Sequence, residues 1–454
     1  MSGCRTDRGL TRATIGLTFG FEVLVALLTG VVARRRAVHM GVHEDGVEGR
    51  VPTQGTFSRV SRRDPCRASN TSSGREAGEA AHGRFPRWIN ASSAWLRQAS
   101  GAAWCVAPHD RDPRFTTTMS TSNRLHRAAK STASRLVAAY RRTGADLPFG
   151  DPLPSHGSEM EGWFWRVTDS ASGRVVVALC GVNRHAAGDW ATVAVALHPG
   201  GIVRAAALDG ACADQTRFAL RAGTAPEARI EASADRLHVD LDDVHLDLRF
   251  TEPYVWPKAF GGGGVFSAVP FLNQYWHPYR LGGTANGAIG IGGDRRSLDH
   301  TTVYAERNWG AGFPDRWWWG QAHDFDGADV SVAFSGGVLR LGPIARPVAG
   351  VVVRLGDRVI RITPPALVRS EVAPGRWTIR ARSLRHRIDL DGDDAGLEPH
   401  VLPVPLPAER RNVETDFEHL AGRLRCVVRE DGRVVFDGTS VLAGLELGSL
   451  PGLT

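Results

Sequence analysis

The chain has 454 residues, 42% hydrophobic and 23% charged, which excludes a coiled coil or a wholly disordered polymer. Its formal charge of +7 is unevenly placed: residues 1–118 carry 17 Arg against 10 acidic residues, whereas residues 119–454 carry 38 basic and 38 acidic ones. Only Lys130 and Lys258 are lysines, the other basic residues being arginine, and no basic face is interleaved with aromatics, so the charge argues against a nucleic-acid partner.

Residues 15–33 form an apolar run broken only by Glu22 and flanked by Arg12 and by Arg34, Arg35 and Arg36. Its length admits a membrane span or a signal-peptide core, but the charge inside it and the arginines where a cleavage site belongs weaken both readings. A Ser/Gly/Arg-rich stretch without sustained period follows. Met119 then opens MSTSNRLHRAAK in the manner of a bacterial amino terminus. Residues 1–118 are therefore expected to be a disordered or over-extended leader, with a membrane anchor as the alternative.

Residues 119–143 predict a basic amphipathic helix. Leu125, Ala129, Leu136, Val137 and Tyr140 share a stripe that Arg124, Arg127, Lys130, Arg135, Arg141 and Arg142 surround. Such a helix either caps the body as a solvated element or lies on an anionic membrane surface. The six cysteines include no Cys-x-x-Cys spacing, so zinc and redox signatures are absent. Cys180, Cys212 and Cys426 read as buried small hydrophobes in a reducing, cytoplasmic compartment.

From Glu161 the pattern is period two, punctuated by turn residues, which predicts strands. In RLHVDLDDVHLDLRF a two-residue turn at Asp242–Asp243 restores one apolar face by pairing Leu241 with Val244. The same register sets His238 opposite Asp247 and Asp240 opposite His245, a set read as a solvent face rather than a metal site. Further hairpins are expected at Gly336–Gly337, Gly356–Asp357 and Asp431–Gly432. No long amphipathic helix interrupts the strands, so the expected class is all-β. The glycine runs at 261–264 and 287–293 do not open a helix after a strand, which removes the phosphate-cradle reading and leaves turns or bulges.

Ten of the 13 tryptophans lie in this body, and Trp256, Trp276, Trp309, Trp317, Trp318 and Trp319 fall within one segment. The two readings are an aromatic plug between sheets and a wall for a large lipophilic ligand. In VYAERNWGAGFPDRWWWGQAHDF a first strand puts Tyr304, Glu306 and Asn308 on one face. GAGFP breaks that strand, and in the next Trp317, Trp319, Gln321, His323 and Phe325 share a face. Adjacent, the two would line a cavity with indoles and a few polar groups, among them an acid. Arg307 points to the other face of its strand and is not the partner of Glu306.

This segment, with PFLNQYWHPYRLGGTANGAIGIGG before it and EGWFWRV at 161–167, resembles the tocopherol cyclase family. Tyr304, Glu306, Trp309, Gly310, Phe313, Pro314, Trp317, Trp319 and Gln321 match its signature, with Arg307 in place of the usual lysine. The resemblance extends over about residues 150–450 and includes EHLAGRLRC and DGTSVLAGLELGS. It implies two lipocalin-like β-barrel halves, expected at 144–300 and 301–454, related to carotenoid hydratase-type proteins. It implies closure of a chromanol ring on a prenylated quinol by alkene protonation and phenol attack, with no cofactor and no metal.

On that reading Glu306 donates the proton, because a carboxyl desolvated among indoles stays protonated near neutral pH. His323 or Tyr304 would orient the phenol or take its proton. Trp309, Trp317 and Trp319 would shield the cation. Gln321, Asn308, Trp163, Trp165 and His277 complete the expected lining. A carrier of lipophilic molecules and an alkene hydratase are the alternatives. The expected partners are a lipophilic small molecule and, through the basic helix, a membrane surface.

Overall fold

Alternation of apolar and polar residues produces strands almost throughout. The computed structural model describes residues 132, 134–224, 228–256, 260–341 and 343–451. The apolar run at 15–33, the rest of the leader and the start of the expected helix lie outside the described residues. Residues 134–141 are helical, and Arg141 is drawn back to Asp146 at 3.0 Å. No helix among the described residues is long and apolar enough to cross a membrane.

Two antiparallel sheets make up the body, and both follow one plan. In the first, of 12 strands, Met160–Asp169 opens an up-and-down run through Arg174–Asn183 and Trp190–His198 to Ile202–Asp209. Its free edge pairs with the long last strand Asp294–Gly310, Phe164 standing opposite Glu306. In the second, of 10 strands, Arg316–Phe325 opens the run through Ala328–Leu341 and Ile344–Leu355 to Arg358–Ile362. Its free edge pairs with the long last strand Arg433–Ser449, Trp319 standing opposite Glu446. Each sheet curls around its own core, as expected for an all-β chain of two barrel-like halves. The change of sheet falls between Gly310 and Arg316, because Asp294–Gly310 runs unbroken through the boundary expected near residue 300.

The two cores explain the alternation. Trp163, Trp165, Val193, Leu237, Val239, Leu246 and Val303 fill the first curl, and Trp318, Phe334, Val353, Ile379, Leu390 and Leu445 fill the second. Strand Val244–Thr251 alternates buried and exposed along its length, one face wet. Strand Trp190–His198 is buried on both faces. Its second face is covered by the other half: Val175, Val177 and Ala196 pack on Leu402, Leu420 and Leu442. Each such side chain taken from water contributes about 1.5–3 kcal/mol, which holds the two sheets back to back.

The hairpin at Asp242–Asp243 has the expected register, with His238 opposite Asp247, Asp240 opposite His245 and Leu241 opposite Val244. Asp240 binds both rings and the Arg229 guanidinium. The turns at Gly356–Asp357 and Asp431–Gly432 also fall where expected. The turn expected at Gly336–Gly337 does not exist: both glycines lie inside the continuous strand Ala328–Leu341. A Cβ on Gly336 would sit 2.4 Å from the Trp318 ring, so glycine is there to let the indole cross the strand rather than to reverse the chain. Cys180 and Cys426 are free and buried, but Cys212 is disulfide-bonded. The two-residue strand Cys212–Ala213 leaves it half-buried, unlike the buried thiol expected there.

Candidate functional site

The outward faces of the two opening strands and the two closing strands meet one another. Tyr304, Glu306 and Asn308 project from the first sheet on the side opposite its core residues Val303 and Ala305. Trp317 and Trp319 project from the second on the side opposite Trp318. Between them lies a small cavity of about 80 Å³ that opens to solvent at its mouth. It belongs to neither curl but to the seam. Its indoles are Trp163, Trp276, Trp317 and Trp319, with Phe164 and Phe313 beside them; Glu306, Asp416 and Glu446 are its acids.

Glu306 is 5% exposed and is held from three directions. Trp276 Nε1 and Trp319 Nε1 each donate to its Oε2 at 2.7 Å, and the Tyr304 hydroxyl donates to the same oxygen at 2.5 Å. Indole N–H groups can only donate, so Oε2 is an acceptor and the acid proton resides on Oε1. Burial raises the Glu306 pKa to about 7, against the opposing pull of the three hydrogen bonds, which favour the ionised form. The group therefore keeps its proton until about pH 7, where it is half ionised, and its conjugate base has its donors already in place.

Arg307 faces away, as expected. Its Nη2 donates to Glu161 at 2.7 Å, and its guanidinium lies 4.4 Å above the Trp163 ring and 5.1 Å from that of Trp309. Trp309 stacks between His156 and Tyr275 and donates to the Gly144 carbonyl at 2.7 Å. Trp309 thus anchors the segment before the first strand and does not line the cavity.

The other expected residues divide in the same way. Trp163, Asn308, Trp317 and Trp319 line the cavity with Glu306. Tyr304 lies behind Glu306, and Gln321 accepts from Arg166 at 3.1 Å. Trp165 belongs to the first core, and His277 packs edge-on to Trp256. His323 stands opposite Ser331, away from the cavity lining, and its ring nitrogens have no hydrogen-bond partner. Burial, then the charges of Arg166 and Arg354, bring its pKa down to about 3, so the ring is neutral. Phe325 leaves the face expected for it: a bulge between His323 and Phe325 turns its ring into the second core.

Sequence reasoning missed a second group of acids. Asp416 and Glu418 come from strand Arg411–Glu430, and Glu446 from Arg433–Ser449. Register sets Trp317, Gly448 and Asp416 in one row across three strands, and Trp319, Glu446 and Glu418 in the next. Trp317 Nε1 donates to Glu446, and Asp416 borders the same cavity beside it. Burial raises all three carboxyl pKa values, and mutual repulsion adds to the rise for Asp416 and Glu418. The buried cation beside them, Arg166, spends its Nη groups on Thr168, Gln321 and the carbonyls of Leu420 and Leu442. The available signal was the spacing of Asp416 and Glu418, two apart in a strand otherwise bound for burial, with Glu446 in the partner strand.

Residues 248–449 match the family model described as tocopherol cyclase-like. Over 209 residues the chain is 28% identical to the probable chloroplastic tocopherol cyclase of Oryza sativa subsp. japonica, covering 43% of this chain and 44% of that one. Over 206 residues it is 26% identical to the chloroplastic tocopherol cyclase of Zea mays, covering 43% of each. The chain thus spans less than half the length of these curated relatives. Among solved structures, kievitone hydratase from Nectria haematococca aligns over 67% of this chain and 93% of its own, at 12% identity and a TM-score of 0.41. The protein CghA aligns over 68% and 94%, at 10% identity and a TM-score of 0.46.

Proposed function

We propose that this chain, a member of the tocopherol cyclase-like family over residues 248–449, closes an oxygen heterocycle on a prenylated quinol or a similar lipophilic phenol. The observation that carries this reading is Glu306: a buried carboxyl that keeps its proton up to about pH 7, on the wall of an aromatic cavity. Its Oε1 proton passes to the less substituted carbon of a trisubstituted alkene, and the more substituted carbon becomes a tertiary cation. Trp276, Trp317 and Trp319 offer π faces to that charge, worth about 2 kcal/mol each where water is excluded. The phenol oxygen attacks the cation and releases its own proton. Atoms balance, so the product is an isomer of the substrate.

Tyr304 acts here as a positioning residue, because its hydroxyl is spent on Glu306. His323 is a weaker choice for the base than its sequence position suggested, since it does not border the cavity. A cytoplasmic location, with the basic segment of residues 119–143 meeting an anionic membrane surface, completes the proposal and suits a substrate dissolved in lipid. Sedimentation with anionic vesicles tests that placement.

Incubation of the full chain with a geranylgeranyl hydroquinone tests the chemistry. A product of unchanged mass lacking one phenolic hydroxyl is expected. Gain of one water would instead identify a hydratase, and tight binding without turnover a carrier.

A further inference from the structure

We propose that Glu446 is the base that receives the phenolic proton, with Asp416 as its protonated partner. The proposal rests on the cyclase reading above and adds to it a second, separate proton site. Its ground is geometric. Glu306 and Glu446 both border the cavity, and each comes from the long last strand of its own sheet. Indole N–H groups hold both: Trp276 and Trp319 hold Glu306, and Trp317 holds Glu446. Trp319 joins the two walls, as the cross-strand neighbour of Glu446 and a donor to Glu306.

The charges around Glu446 decide which carboxyl ionises. Glu418 stands beside it on strand Arg411–Glu430, Asp416 two residues earlier, Glu306 across the cavity and Arg166 on the first sheet. Among these carboxyls the Arg166 charge acts on Glu418, which does not line the cavity. Glu446 is the carboxyl placed to take the phenolic proton, because it borders the cavity, as Glu418 does not, and its ionised form accepts from Trp317. Both Glu418 oxygens and Asp416 Oδ1 have no hydrogen-bond partner. In the reaction the phenol O–H bond breaks as the C–O bond forms, and the proton ends on Glu446. Glu306, left ionised, recovers its proton from Glu446 through solvent at the mouth, so no external reagent is consumed.

The test uses the full chain and a geranylgeranyl hydroquinone, comparing Glu446→Gln, Glu446→Asp and Asp416→Asn with the unaltered protein. Glu446→Gln is expected to lower kcat by about 10²-fold or more with KM little changed, and to abolish the acidic limb of the pH–rate profile. Glu446→Asp restores part of the rate and the limb. Asp416→Asn lowers the rate less than Glu446→Gln and moves the limb. A folded Glu446→Gln with ordinary kcat and an unchanged acidic limb overturns the proposal while leaving the cyclase reading intact. An unaltered chain that turns over no quinol overturns both.

Discussion

Trp319 on the second sheet donates to Glu306 on the first at 2.7 Å, so the acid is positioned by a residue of the opposite half. Neither curl alone holds a complete site. The seam couples assembly of the halves to chemistry: a relative slip of the sheets would remove a donor from Oε2 before it exposed any core. Replacing Trp319 with Phe keeps most of the packing and deletes the N–H. We expect about a tenfold loss in kcat, with thermal stability changed by about 1 kcal/mol. Steady-state kinetics with melting curves check this.

Glu306→Gln removes the acid and keeps the shape. The expected loss is about 10²–10⁴-fold in chromanol formation, with quinol binding retained. Mass-resolved product assays separate this from misfolding, since the variant should melt at or above the temperature of the unaltered chain. Undiminished turnover would remove Glu306 from the mechanism.

The pH response follows from the same carboxyl. Folded, Glu306 keeps its proton up to about pH 7, whereas unfolded it loses it near 4.5. Between those values the native chain binds more protons, so its stability falls as pH rises. The contribution is fully present below about pH 4.5 and lost through about 7, on the order of 3 kcal/mol for this group. Asp416, Glu418 and Glu446, raised in the same direction, steepen the decline. Denaturant midpoints measured from about pH 5 to 8 should drop, and drop less in Glu306→Gln. Loss of the Glu306 proton lowers the rate above about pH 7.

The strands, the hairpin at Asp242–Asp243 and the shared face of Glu306 and Asn308 were legible because alternation reports local pairing directly. What local pattern cannot report is which outward face meets another. The cavity was expected between adjacent strands, yet it lies between sheets whose partners are more than a hundred residues apart, as with Glu306 and Glu446. His323 and Phe325 were set beside Trp319 by parity. A bulge moved Phe325, and His323 lies beyond the cavity on the same strand. Gly336 and Gly337 looked like a turn because a glycine that makes room and a glycine that bends the chain are spelled alike.

Gly448 is another glycine that makes room. A Cβ there would lie 2.0 Å from the Trp317 ring, between that indole and Asp416. Gly448→Ala is expected to push Trp317 off Glu446 at a cost of about 1–3 kcal/mol. Because the Glu446 carboxyl would then lose a donor, the acidic limb of the pH–rate profile should shift upward in pH. Urea denaturation and the pH profile of the same sample check both halves of the expectation.

Arg307 lies on the strand face opposite Glu306, and its surroundings show what an arginine does there. One Nη reaches the carbonyls of Leu153 and Pro154 at 2.9 Å and that of Pro152, while the other binds Glu161. The planar group also lies against Trp163 and Trp309. An ammonium is a point charge without the fork or the flat face, so Arg307→Lys cannot serve three carbonyls, a carboxylate and two rings together. We expect about 2–3 kcal/mol of lost stability from Arg307→Lys. Glu161→Gln, which strands the buried guanidinium, should cost more, about 3–5 kcal/mol. Because Arg307 faces away from Glu306, kcat measured well below the melting temperature should stay within about twofold in Arg307→Lys. A tenfold fall in kcat with unchanged stability would mean that the segment of residues 144–158 shapes the cavity as well as bracing it.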